Sequence, residues 1–349
     1  MRRDDPLEDW LVLRPALLDA DPAQQAQREV TFWSQQLPLE LGRRPPPADA
    51  RTASERLQEA YRQLVAGGGP GHSSLEEHVL SALARAADPG SVPFWCETLD
   101  LRRPHDRFAK RRQTLTLAAL AYLAIQHNLL EAYAALRAAT HHELPEIRAV
   151  AVHYLGRAYL EAARAVPAEV TEELAAIAVH DPAFGPRFQA RALLRAANLP
   201  VSLDNPGGVY IFKVKFKWAK RIFRSIAVRS EQTLDDLHHA IQHAIAWDAD
   251  HLFSFFMNGD RADDAYRVRC PYEADADALL LTNVAVIGEL GLVRKHRFLY
   301  YFDYGDCHEF EVETIDIRPQ AERGIYPQVV ERKGAAPPQY GSADDHGDP

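Results

Sequence analysis

Five residues in the second half of the chain have the side chains that metal or acid–base chemistry needs: His238, His251, Asp303, Asp306 and His308. An imidazole oriented by a carboxylate can serve as a general base, and imidazoles grouped with carboxylates can hold a divalent metal. The candidate metal ligands are therefore His238, His251, Asp303 and Asp306. A metal-dependent hydrolase or nuclease would use this set, with His308 as a further member. His238 falls on the apolar face of a helical segment, which leaves a second reading open: a buried histidine whose carboxylate or carbonyl partner fixes the helix to its neighbour. His251 carries the same two readings. No catalytic residue is assigned, and no cofactor is expected beyond a possible divalent metal.

His239 and His243 stand four apart in HAIQH, a spacing that can share zinc. Ala240 follows His239 where a metalloprotease helix would carry its glutamate, and two histidines alone leave zinc short of ligands, so a solvated face is the better reading. Lys213, Lys215, Lys217, Lys220, Arg221 and Arg229 concentrate positive charge on one hairpin. Arg102, Arg103, His105, Arg107, Lys110, Arg111 and Arg112 form a second cluster. Either cluster can follow a phosphate backbone, and the candidate polyanion contacts are Lys213, Lys215, Lys217, Arg221, Arg103, Arg107 and Arg111. The alternative is a solvated strand face and a loop paired with acids elsewhere. The chain contains no GxxxxGK[ST], GxGxxG or GxSxG motif, so nucleotide-binding and serine-hydrolase readings have no local support.

A chain of 349 residues is long enough for two domains with proper cores, and 47% hydrophobic with 26% charged residues is an ordinary globular composition. The longest apolar run, Leu117 to Ile125, is half of the ~18 residues that would suggest a membrane span. MRRDDPLEDW has acids and Pro6 where a secretory signal would turn apolar, and the expectation is a cytoplasmic protein without a membrane partner. Cys96, Cys270 and Cys307 have no CxxC spacing, so neither a disulfide framework nor a cysteine-built zinc site is supported. The net charge of −9 is evenly spread, with 23 Lys+Arg against 26 Asp+Glu in residues 1–204 and 17 against 20 in 205–333. No domain is basic overall, and any polyanion site must be a local patch.

The first fifty residues read as a helical arm, with apolar stretches Trp10 to Leu18 and Val30 to Leu41, followed by a proline-rich linker at Pro45–Pro47. Residues 51–200 are almost purely helical in pattern. Setting His78, Arg112, Arg148 and Arg187 as equivalent gives spacings of 34, 36 and 39 residues, the range of helical-hairpin solenoids. This region resembles a HEAT-like α-solenoid, with an irregular helical bundle as the alternative. Residues 201–208 read as a linker. In VYIFKVKFKW, Phe212, Val214, Phe216 and Trp218 then alternate with the three lysines, the period of a half-buried strand. Residues 209–333 are expected to form an antiparallel sheet with packed helices in the order β-β-α-β-α-β-β, including a short helix near Asn283 to Leu290, and 334–349 a flexible tail. The fold class is thus multidomain, α followed by α+β.

Three stretches in this second domain, TLDDLHHAIQHAIAWDADHLFSF, YYFDYGDCHEFEV and YPQVVERKGAAPPQYG, resemble the plasmid pRiA4b ORF-3-like family. That family shows an L-H-x-x-I-x-x-x-x-G-W-x-x-x-H-L stretch, a Y-D-F-G-D-x-W-x-H stretch and a closing C-P-P-E-D segment. Leu237, His238, Ile241, Trp247, His251 and Leu252 fall on the first, with Ala246 in the glycine position. Asp303, Gly305 and Asp306 fall on the second, with Tyr304 for its Phe, His308 for its Trp and Phe310 for its His; Gln339-Tyr340 replaces the terminal acid pair. The resemblance implies a compact α+β domain, a motif cluster of His238, Trp247, Asp250, His251, Asp303, Tyr304, Gly305, Asp306 and His308, no settled activity, and an occurrence beside transposase genes that suggests a mobile-element context.

Without a complete catalytic constellation, the sequence points to a binding or scaffold protein rather than an enzyme. Its helical repeats would take a macromolecular partner, either a protein or a nucleic acid held by the local basic patches.

Overall fold

The computed structural model describes residues 22–41, 51–67, 73–103, 105–273 and 280–339. The apolar stretch Trp10 to Leu18, the proline linker and Tyr340 lie outside the described residues. The chain divides into two compact units, Met1–Val170 and Thr171–Pro349.

The first unit is helical: α1 (Pro22–Glu40), α2 (Ala53–Ala66), α3 (Ser73–Ala86), α4 (Val92–Asp100), α5 (Ala109–His127), α6 (Leu130–Ala139) and α7 (Pro145–Glu161). Local chemistry sets the breaks. Thr52 and Glu55 form a reciprocal capping box that starts α2, and Asn128 ends α5 in the left-handed region at φ 53°. Alternate helices pack, α1 on α3, α3 on α5 and α5 on α7, while α2, α4 and α6 lie against their chain neighbours. Helices α5 and α7 are therefore covered on almost every side, α7 continuously from Ala151 to Tyr159. Their alanine-rich faces permit such close approach.

The arginine register has a mechanical basis. Arg148 Nη1 donates to the carbonyls of His142 and Glu143, six and five residues back, both at 3.0 Å. In the second unit Arg187 Nη1 reaches the carbonyls of Asp181 and Pro182 in the same way, at 2.8 and 3.1 Å. Arg112 likewise turns back six residues, to the Asp106 carboxylate at 2.7 Å. Each arginine ties its helix to the preceding loop.

In the second unit α8 (Ala168–His180), which begins at the division, and α9 (Phe184–Ala196) precede β1 (Val209–Phe216), β2 (Phe223–Arg229), α10 (Leu234–Ile245), β3 (Phe253–Phe256), β4 (Arg267–Arg269), β5 (Arg297–Phe302), β6 (His308–Arg318) and β7 (Gln328–Lys333). The strands form one sheet in the order β4-β3-β5-β6-β1-β2-β7, with every neighbouring pair antiparallel. One face carries the core. Phe212, Val214, Phe216, Phe255, Phe298 and Tyr300 meet Leu237, Ile241 and Ile245 of α10 and Phe188 and Ala192 of α9. No described helix is long and apolar enough to cross a membrane.

Four features differ from the sequence expectation. Helix α9, placed in the repeat array, joins the core of the sheet through Phe188 and Ala192, and Arg191 clamps Asp204 at 3.0 Å within the expected linker. The helix expected near Asn283 to Leu290 is one 3-10 turn, Ile287–Glu289. Its backbone is drawn outward instead of inward: Ile287 N–H donates to Gln232 O and Gly288 N–H to Ser230 O, while Ala285 O accepts from Leu234 N–H. Strands β4 and β7 are additional edge strands: β4 is three residues long, too short for its Tyr266-Val268-Cys270 alternation to stand out, and β7 is mostly polar and exposed. Lastly, the described part of the tail is tied down rather than free, because Trp247 Nε1 donates to Pro337 O at 2.8 Å and Asp248 N–H to Gln339 Oε1 at 2.6 Å.

Candidate functional site

The turn between β5 and β6 is organised by Asp303. Its Oδ1 accepts from the backbone N–H groups of Gly305 (2.9 Å) and Asp306 (3.3 Å), an aspartate turn that tolerates the positive φ of 56° at Asp303 itself. A Cβ at position 305 would stand 3.2 Å from that same oxygen, which accounts for Gly305. The Asp303 side chain is buried on the turn, and its Oδ2 lies 3.6 Å from Nε2 of His251. Asp250 Oδ1 is 3.4 Å from the same nitrogen. The β-ladder then places His308 opposite Phe302, and its ring packs 4.6 Å from Trp247.

One oxygen each of Asp303 and Asp306 and one ring nitrogen of His308 lie within 4.8 Å of one another. This is the one group of three His, Cys, Asp or Glu residues among the described residues that is close enough to hold a cation. His308 Nε2 is shielded from solvent and makes no hydrogen bond. The Asp306 carboxylate faces solvent.

His238 stands apart from this group. It is buried on α10, its ring stacked 3.6 Å from that of Phe253 at an interplanar angle of 2°. Its Nδ1 lies 2.7 Å from Tyr300 Oη, and that oxygen accepts from Gln242 Nε2 at 2.6 Å. Burial first, and the neighbouring His239 second, push the His238 pKa down to about 3, so the ring is neutral. The expectation that Asp303 or Asp306 orients His238 is thus corrected: the partner is a tyrosine one strand residue pair earlier, and of the two histidines it is His251 that meets Asp303. Trp247 is a structural anchor, packed among Phe216, Phe302 and Phe310. Phe310 lies in the core. His239 and His243 are exposed on α10, with His239 Nδ1 2.9 Å from Asp235 O.

Tyr304 turns to the opposite face. Its Oη donates to Glu273 (3.0 Å), accepts from Arg267 (2.6 Å) and lies 2.7 Å from Ser254 Oγ, latching the turn to β3 and β4. Burial raises its pKa despite these bonds. This network and the Tyr300–Gln242 pair join residues far apart in the chain, 31 residues for Tyr304–Glu273 and 58 for Tyr300–Gln242, and leave no local signal in the sequence.

The basic residues fare differently from one another. Lys215 pairs across the strand with Glu311 at 3.1 Å and Glu313 at 3.7 Å, and Lys217 pairs with Glu309. Lys213 Nζ sits 3.7 Å above the Phe223 ring. These lysines face carboxylates and an aromatic ring of their own sheet because β6 presents glutamates at alternate positions. Past the end of β1, however, Trp218 is 66% exposed, followed by exposed Lys220 and Arg221, neither with an ion-pair partner among the described residues. Trp218 was expected to point inward with Phe216, but the strand ends before it.

In the helical unit, Arg103 is committed to Glu76 (2.6 Å) and Asp106 (3.1 Å), and Arg111 to Glu77 (2.9 Å). Both serve the interior of the helical stack rather than a free basic patch; Arg107 remains exposed. At the centre Arg112, 0% exposed, donates to Glu76, Asp106 and Tyr61 Oη. Burial works to raise the Asp106 pKa, and the hydrogen bonds from Arg103 and Arg112 outweigh it and hold it below the ordinary value.

No curated protein matches this chain. A crystal structure of a protein of unknown function from Methanosarcina mazei Go1 is similar at 29% identity, covering 38% of this chain and 72% of that one, with a TM-score of 0.32. Residues 208–343, in the sheet unit, match the model of the family described as Plasmid pRiA4b ORF-3-like protein, the family whose motifs these residues resemble.

Proposed function

We propose that the protein is a non-enzymatic binding protein, a HEAT-like helical-repeat scaffold joined to a pRiA4b ORF-3-like module that contacts single-stranded nucleic acid through the β1–β2 turn. The observation that carries this reading is Trp218, 66% exposed and followed by the exposed cations Lys220 and Arg221. An exposed indole offers a stacking platform for a base, and unpaired cations beside it attract phosphate; stacking of this kind contributes ~1–3 kcal/mol per base. The overall charge of −9 confines the contact to this patch.

Fluorescence anisotropy with a short labelled single strand tests it. Trp218→Ala and the pair Lys220→Glu/Arg221→Glu should each weaken binding roughly tenfold, and the charge pair should flatten the salt dependence. Arg107→Glu, in the helical unit, should leave affinity unchanged. A wild-type protein that ignores single strands at low salt would end this reading.

A further inference from the structure

The geometry points to a divalent transition-metal site in the β5–β6 turn, with Asp303, Asp306 and His308 as ligands. It stands independently of nucleic-acid binding. Two carboxylate oxygens and one imidazole nitrogen lie within 4.8 Å of one another, a little beyond the ~4.0–4.4 Å that two coordination bonds of ~2.0–2.2 Å span, so a small side-chain rotation closes them on one ion. Three further features fit a metal rather than a chance meeting of polar groups. The Asp303 carboxylate is held by two backbone N–H donors to Oδ1, which fixes its orientation and leaves Oδ2 beside His251. Such an outer shell is what positions a metal-ligating carboxylate. The His308 ring is fixed against Trp247 and Phe302, and its Nε2 is shielded from solvent without a hydrogen-bond partner, a cost that a cation held at that nitrogen would offset. The exposed Asp306 provides the route of entry.

The donor set decides the class of ion. Imidazole nitrogen with carboxylate suits zinc, manganese or iron over magnesium and calcium, which take oxygen ligands almost entirely. Three protein ligands leave at least one coordination position for water or an external ligand. His251 acts as a positioning residue, through the second oxygen of Asp303.

Full-length protein stripped with a chelator should be titrated with Zn2+, Mn2+ and Mg2+, with Co2+ as a spectroscopic reporter. The expected result is one equivalent of Zn2+ or Mn2+ bound more tightly than Mg2+, and a Co2+ absorption band that saturates at the same stoichiometry. Asp306→Asn, an exposed change that preserves the fold, and His308→Gln should each weaken affinity by about tenfold or more. His239→Ala/His243→Ala, which removes the other histidine pair, should not. Absence of saturable binding up to millimolar metal, equal affinity for Mg2+, or undiminished binding in Asp306→Asn would each overturn the site.

Discussion

Nδ1 of His238 lies 2.7 Å from Oη of Tyr300, and this contact, not a carboxylate, satisfies the buried histidine of α10. Because Gln242 donates to the same oxygen, the tyrosine proton is left for the imidazole, and the neutral ring is the form that the site accepts. A histidine whose folded pKa is about 3 against an ordinary 6.5 binds fewer protons folded than unfolded between those values. Stability is therefore complete above about pH 6.5 and falls as pH drops toward 3, with a slope from this group of at most ~1.4 kcal/mol per pH unit. Denaturant melts across this window should show the slope reduced in His238→Phe, which keeps the stack on Phe253. An identical slope in the variant would mean that His238 is not its source.

The salt-bridge cluster of the helical unit leads to a second expectation. Arg112 is fully buried, and its charge is matched by Glu76 and Asp106. Removing one partner leaves an uncompensated charge in the interior, so Glu76→Gln should destabilise the unit by ~3–5 kcal/mol. Arg112→Met/Glu76→Met should cost much less than either single change, since both charges leave together. Urea midpoints of Arg112→Met, Glu76→Met and the double variant decide it; additive losses would show that the pair is not coupled.

The same cluster shows how far sequence reasoning reaches. Arg103, Arg111 and Arg112 read as a basic patch because Glu76 and Glu77 lie on a different helix and only packing brings them close; Asp106 stands inside the run itself, three residues from Arg103. For the lysines of β1, period-two alternation tells that they share a face, but not that β6 lays Glu309, Glu311 and Glu313 beside them. What the sequence did reveal were local signals. The α10 apolar face that carries His238, the core alternation of Phe212, Val214 and Phe216, and the Asp303-Tyr304-Gly305-Asp306 turn all depend on neighbours in the chain. The His238–Tyr300 partnership spans 62 residues and left no local trace.

Ala246 ends α10 in the left-handed region at φ 60°, in the position where the family motif has glycine. A Cβ there is strained, and glycine adopts the conformation freely. Ala246→Gly should raise stability by ~1 kcal/mol, read as a higher urea midpoint with an unchanged slope. A lower midpoint would show that the alanine methyl contributes packing that outweighs the strain.

The cross-strand lysines and the turn cations should separate cleanly in a paired experiment. Lys215 is partly buried between Glu311 and Glu313, and Glu311 is held below the ordinary carboxyl pKa by the lysine's hydrogen bond and charge, against the opposing effect of burial. Lys215→Gln removes the attraction and leaves Glu311 and Glu313, neighbours on one face of β6, without the cation between them, which should lower stability by about 1 kcal/mol while nucleic-acid affinity stays within twofold. Lys220→Glu/Arg221→Glu lies on an exposed turn where neither cation holds an ion pair among the described residues and Lys220 acts on Glu311 only through its charge, so it should move the urea midpoint less than Lys215→Gln does and weaken strand binding instead. If Lys215→Gln weakened binding as much as the turn substitutions, the contact surface would extend down the strand, and the cross-strand pairs would have to open to admit phosphate.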